Sequence, residues 1–177
     1  MIRGGVEVDF RRRIESFKDA YLHIACKYFS EKRLVRLLKR YGVLKGDSLV
    51  IKRNVRIDHY KYLIIGNNCG INGGVRFYIE GSMGSKITLM NDVVVARDVI
   101  FETGTHEIGP SNRRVGNTST SKSICVEDGV WIGVGSIILP GVTIGHGCVI
   151  AAGSIVVKDC EPNCMYGGNP AKMIKRL

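Results

Sequence analysis

Residues 126–156 read VEDGVWIGVGSIILPGVTIGHGCVIAAGSIV. An aliphatic residue returns at every sixth position, Val126, Ile132, Ile138, Ile144, Ile150 and Val156, without a slip. Small or β-branched residues recur four places after each of these, at Val130, Ser136, Val142, Cys148, Ser154 and Cys160. A period of six fits neither the alternation of a half-buried strand nor the 3.6-residue turn of a helix. It fits short strands separated by tight turns. With three such units per layer, the aliphatic side chains stack in columns inside a triangular prism. One layer cannot bury its own apolar face, but stacked layers can.

The same ruler fits Ile65, Ile71 and Phe77, then Leu89, Val95 and Phe101, with Leu49 and Val55 as a partial opening, for about four full layers. The expected fold class is mainly β, a parallel β-helix with an N-terminal helical region and a short C-terminal tail. Its handedness does not follow from the period, because parallel crossovers in general are right-handed. The expected divisions are a helical cap at 1–42, the repeat body at 43–161 and a tail at 162–177. Two interruptions break the ruler, at 83–88 and at 107–123. Insertions project from a solenoid, and an irregular stretch as long as the second is usually functional or disordered. It follows Thr103-Gly104-Thr105-His106 and contains Arg113 and Arg114.

Before the repeats, Phe10, Ile14, Phe17, Tyr21, Ile24 and Tyr28 are spaced alternately by four and three, one stripe of an amphipathic helix. A second helical stretch carries Leu34, Val35, Leu37, Leu38 and Tyr41, with Gly42 as its stop. Helix is therefore expected over 9–41, broken near Ser30, with the stripe packed on the rest of the fold. The other reading of the stripe is a basic helix in contact with a membrane surface.

At 177 residues the chain has the length of one domain. Its 22 glycines exceed the usual ~7% while Pro is only 4, as repeated tight turns require. The net charge of +10 is uneven: residues 1–61 hold 16 Lys or Arg against 7 Asp or Glu, and residues 62–177 hold 10 against 9. The aromatic residues of the basic third follow the helical period and leave no stacking platform, so no nucleic-acid partner is expected. Six Cys are too few for a disulfide scaffold, and no secretory segment is recognisable, so a reduced cytoplasmic protein is expected. Cys160 and Cys164 lack a second close ligand pair and read as small buried hydrophobes. No apolar run approaches the ~18 residues of a membrane span.

The stretch from Val126 to Ala171, ending in Gly168-Asn169-Pro170-Ala171, resembles the hexapeptide-repeat acyltransferases of the maltose, galactoside and serine O-acetyltransferase type. The likeness extends over roughly residues 65–177. It implies a left-handed β-helix, a homotrimer, and acetyl-CoA as cosubstrate in a cleft between neighbouring subunits, with no metal. It implies that His106 is the catalytic residue. Trp131 and Gly133 of the Trp-Ile-Gly motif would line the cleft, Ala152 and Gly153 the path of the pantetheine arm, and Lys158, Lys172, Lys175 and Arg176 the CoA phosphates. Where the family has Thr-Lys-Asp this chain has Val157-Lys158-Asp159, so one hydroxyl is missing.

The chemistry agrees with that assignment. Acyl transfer from a thioester needs a base at the acceptor and cations for the phosphates, and a neutral imidazole, with its ordinary pKa near ~6.5, suits the first task. His23 falls in the helical cap, His59 in an irregular stretch and His146 at an outward hexad position, which leaves His106. The three repeat-region histidines do not share a hexad position, which disfavours a zinc hydratase on the same architecture. The expected function is acetyl transfer to a hydroxyl, or an amine, of a saccharide-like acceptor, as in polysaccharide biosynthesis, with Arg113 and Arg114 as candidates for holding an anionic one. The alternatives are a non-catalytic β-helix scaffold and a non-sugar acceptor such as serine or an antibiotic.

Overall fold

From Leu49 onward the chain lays short strands into three parallel sheets, visited in the same order each time. Face 1 holds Leu49–Ile51, Cys69–Ile71, Val94–Val95, Trp131–Ile132, Val149–Ile150 and Cys164–Gly168, with Ala171–Arg176 added antiparallel at its end. Face 2 holds Arg56–Ile57, Arg76–Tyr78, Ile100–Glu102, Ile137–Ile138 and Ile155–Val156. Face 3 holds Leu63–Ile65, Ile87–Leu89, Ile124–Val126 and Thr143–Ile144, flanked by single bridges at Leu44 and Cys160. The computed structural model describes residues 3–177, with side chains for 14–81, 83–116 and 118–177.

The inward columns are the hexad residues. Ile71, Val95, Ile132 and Ile150 stack behind face 1, Phe77, Phe101, Ile138 and Val156 behind face 2, and Ile65, Leu89, Val126 and Ile144 behind face 3; all are buried. Burying each of these side chains contributes roughly 1.5–3 kcal/mol. The small residues four places on, from Val130 to Cys160, are buried too and fill the corners. Each tight turn has a residue at positive φ three places before the inward one, Asn68, Asp92 and Asp98 in early turns and Gly129, Gly135 and Gly147 in later ones.

The stack has five layers, one more than the ruler counted. Leu49 and Val55 are buried, but as corner residues; the inward positions of the opening layer are Ile51 and Ile57. The ruler loses phase there because eight residues, not six, separate Ile57 from Ile65. The interruption expected at 83–88 is also displaced. Ile87 and Thr88 belong to a strand paired on both sides, so the excursion runs over 79–86.

Two helices precede the repeats, α1 (Arg3–Tyr28) and α2 (Glu31–Arg40). Leu34 and Leu38 of α2 are buried, and the helix contacts the first strand of face 1. The packing expected of the aromatic stripe is reversed. Leu22, Ala25 and Cys26 face the fold, whereas Ile14, Phe17, Tyr21, Ile24 and Tyr28 are exposed, Phe17 at 75% and Tyr28 at 66%. Phe10 lies outside the described side chains. The helix's rotation is fixed by polar anchors: Tyr60 donates its hydroxyl to Glu15 Oε2 (3.0 Å) and its backbone N–H to Asp19 Oδ1 (2.9 Å). Small Ala25 and Cys26 then permit a close approach, with Asn54 N–H donating to the Cys26 carbonyl at 3.0 Å. No described helix is long and apolar enough to cross a membrane.

Candidate active site

From the opening layer at Ile51 onward, every departure from the six-residue spacing occurs at the corner where the chain passes from face 2 to face 3. The first excursion, 58–62, includes a short 3-10 turn at Tyr60–Tyr62; the second, 79–86, includes one at Gly81–Met83; the third, 103–123, is the longest. They lie in successive layers and pack on one another. Gly81 approaches the His59 and Tyr62 rings so closely that a Cβ there would collide with both. Beside the first two excursions lies an open pocket of about 240 Å³ lined by Asp58, His59, Tyr78, Ile79, Glu80 and Glu102, the last of these one residue before the third excursion.

The third excursion was expected to be irregular and is an antiparallel hairpin, Gly104–Ile108 against Val115–Ser121. The β-branched Val115, Thr118 and Thr120 of its second strand favour that pairing. His106 sits opposite Ser119, with Nδ1 3.4 Å from Ser119 Oγ, and its ring is exposed. Thr103, fully buried, fastens the root: Oγ1 accepts from Glu80 N–H (2.8 Å) and the Ser85 hydroxyl (3.0 Å). Glu102 Oε1 accepts the Gly104 N–H at 2.9 Å. Beside the pocket the Arg56 guanidinium lies 5.1 Å from the Tyr78 ring centroid and pairs with Asp58 at 3.0 Å. Asp19 touches this corner from α1, 3.7 Å from His59 Nδ1; burial pushes its carboxyl above the usual range despite the Tyr60 N–H.

The other sequence candidates divide by position. Lys158 stands at the His106 corner, two layers further along. Trp131 is 56% exposed on face 1, and Gly133, Ala152 and Gly153 form the neighbouring corner between faces 1 and 2. Gly133 is held against the next layer, where a Cβ would meet Ala152 N and Ile150 O. Lys172, Lys175 and Arg176 lie on the final antiparallel strand, and Arg176 pairs with Glu161 at 2.8 Å. Arg113 and Arg114 are exposed at the hairpin's far end, away from the cavity. In a three-sided prism the corner carrying His106 lies across from the face carrying Trp131, so one chain does not bring them together. Asp58, Tyr78 and Glu80 were not singled out from the sequence, although the breaks beside each of them were its signal; Glu102, which the sequence offers with Glu107 as a carboxylate to orient His106, accepts the Gly104 N–H.

A family model described as bacterial transferase hexapeptide (six repeats) matches residues 126–158. The galactoside O-acetyltransferase of Escherichia coli K12 is 32% identical over 143 residues, which cover 78% of this chain and 69% of that protein. The chain belongs to the hexapeptide-repeat transferase family. This hexapeptide-repeat chain spans between 44% and 64% of the length of four other curated relatives, among them a chloramphenicol acetyltransferase of Klebsiella aerogenes, 34% identical over 122 residues. Among solved structures it is similar to a hexapeptide-repeat acetyltransferase from Vibrio cholerae complexed with acetyl-CoA. The TM-score is 0.82 at 27% identity, over 93% of this chain and 88% of that one. A maltose O-acetyltransferase from Clostridium difficile gives a TM-score of 0.79 at 28% identity, over 94% and 86%.

Proposed function

We propose that the protein is an acetyl-CoA-dependent acetyltransferase acting on a hydroxyl, or an amine, of a saccharide-like acceptor. The observation that carries this reading is the placement of His106 on a hairpin whose root is tied at Gly104 to Glu102, which with Asp58, Tyr78 and Glu80 lines the open pocket at the same corner. The relatives' acetyltransferase names supply the reaction class. The cavity offers carboxylates and an aromatic ring, a lining suited to a polyhydroxylated acceptor.

In this mechanism His106 Nδ1–H donates to Ser119 Oγ, which leaves Nε2 as the base. Nε2 takes the acceptor's proton as the acceptor oxygen bonds to the thioester carbonyl carbon. The tetrahedral intermediate then expels the CoA thiolate, which recovers the proton from the imidazolium. No acetyl-enzyme forms. Trp131, Gly133, Ala152 and Gly153 hold the pantetheine arm, and Lys158, Lys172 and Lys175 meet the CoA phosphates.

The working unit is a homotrimer of left-handed prisms. The outward row of face 1 runs Val50, Gly70, Val94, Trp131, Val149 and Met165, and Val50, Val94 and Trp131 are exposed, an apolar ridge suited to a neighbouring subunit. Three-fold closure sets the His106 corner of one copy against face 1 of the next. The test is complementation. His106→Ala and Gly133→Trp chains are each inactive in acetyl-CoA thiolysis with the acceptor found by screening free, nucleotide-linked and lipid-linked sugars. Refolded together, they regain activity, because some sites in the mixed trimer have both halves intact. No recovery, from mixtures shown by mass to contain hybrid trimers, rejects the shared site.

A further inference from the structure

The exposed stripe of α1 has no counterpart in the acetyl-transfer reading and invites its own explanation. Ile14, Phe17, Tyr21, Ile24 and Tyr28 form an exposed seam about 21 Å long at the rise of a helix, its Tyr21 ring edge-on to Phe29 and the Phe17, Ile24 and Tyr28 side chains open to solvent. Among the described side chains of the helix the two acidic ones, Glu15 and Asp19, are drawn inward by Tyr60 and His59. The outward side therefore offers apolar and aromatic groups beside cations. Lys27 lies 5.3 Å from the Tyr28 ring centroid, and exposed Lys32, Arg33, Arg36 and Arg40 of α2 follow with no acidic partner among the described residues.

We propose that this face of α1 docks the protein on an anionic lipid surface, the helix lying flat with Phe17 and Ile24 inserted at the headgroup boundary. Charge complementarity selects this occupant over a second copy. The alternating three- and four-residue spacing is that of a coiled-coil seam, but among the described side chains Lys18 is already paired with Glu15 at 3.6 Å and the flanking Lys27 would find no opposite charge in a self-paired helix. An acidic headgroup layer satisfies the cations while the acyl region receives the seam. Aromatic residues with a polar tip, such as Tyr21 and Tyr28, are favoured at that boundary. The helix is not apolar enough to span the bilayer, so the contact is peripheral.

The full chain is pelleted with phosphatidylcholine vesicles and with vesicles containing about 30% phosphatidylglycerol, at roughly 0.1 M and 0.5 M salt. Pelleting is expected with the anionic vesicles alone, and to fall at high salt. In Phe17→Ser/Ile24→Ser it falls tenfold or more while the melting temperature and the mass in solution stay those of the parent. Both residues are exposed, so the fold does not depend on them. Equal pelleting of the parent with both vesicle types, or of the double variant and the parent, overturns the proposal. A double variant of lower oligomeric mass also overturns it and makes the seam a contact between copies. None of these readouts depends on acetyl transfer.

Discussion

The rings of Phe77 and Phe101 stack face to face one layer apart, centroids 5.0 Å apart and planes within 9°. Each is the last inward residue of face 2 before the chain leaves the prism for a long excursion. Phe101→Ala should destabilise the protein by about 3–5 kcal/mol, from lost burial and the cavity left behind. Phe101→Leu should cost less than half as much. Urea unfolding of the two variants checks this; equal midpoints for Phe101→Ala and the parent would show that the pair does not support the stack.

Thr103→Val keeps the shape of the side chain but removes the acceptor of the Glu80 N–H and Ser85 hydroxyl bonds. Leaving buried donors unpaired costs about 1–3 kcal/mol. Because Thr103 roots the His106 hairpin, kcat should fall about tenfold with the acetyl-CoA KM unchanged. Thr103→Ser, which retains the hydroxyl, should recover most of the rate.

His106→Ala should lower kcat by about 10²–10⁴-fold and leave acetyl-CoA binding near that of the parent, the pattern of a lost general base. Ser119→Ala should reduce kcat by a smaller factor, since it removes the partner of Nδ1 and not the base. Steady-state kinetics with both substrates varied separates the two. A His106→Ala enzyme of near-parental turnover would end the mechanism.

Gly133→Ala places a methyl group against Ala152 N and Ile150 O, both backbone atoms of the next layer. Overpacking of this kind costs typically ~1–3 kcal/mol, which for a chain of this size lowers Tm by roughly 2–12 °C. The acetyl-CoA KM should rise with it if the wall lies along this corner. A normal Tm with a raised KM would point to a blocked ligand path without strain.

The thiols are poorly suited to a covalent route. Burial pushes Cys26 and Cys160 up to about 12 and raises Cys69, Cys125 and Cys148 as well. Only Cys125 is not buried. A thiol reagent at pH 8 should label Cys125 first and the others on unfolding, and acetyl-CoA alone should leave no acetyl-cysteine. An acid whose pKa is raised by folding releases its proton first in the unfolded chain, so stability falls as pH rises. The loss begins near the ordinary thiol value of 9.0 and continues to about 12. Denaturant midpoints between pH 8 and 10.5 should drop, and Cys26→Ala/Cys160→Ala should flatten the drop.

The layers were legible from Val126 to Val156 because every inward residue is local in sequence, set by the preceding turn. The cavity was not, because its walls meet by stacking. Asp58, Tyr78 and Glu102 are neighbours at separations set by the lengths of the excursions, which a six-residue ruler registers only as breaks. His106 enters as a candidate through motif likeness and not through period. The α1 stripe misled for a different reason: the helix has two apolar faces, and the one with fewer large residues is the one that fits the fold, since Ala25 and Cys26 permit contact that Ile24 and Tyr28 would block.

The confinement of every excursion to one corner separates two kinds of inheritance. Hydrogen bonds between layers run along the prism axis, and each excursion departs and returns within a single layer, so its length leaves the pitch untouched. Ligand preference can therefore diverge by exchange of whole segments while the aliphatic columns stay fixed. A chimera carrying a relative's 104–121 segment between Thr103 and Lys122 would keep its stacking register and acquire new acceptor chemistry in one step.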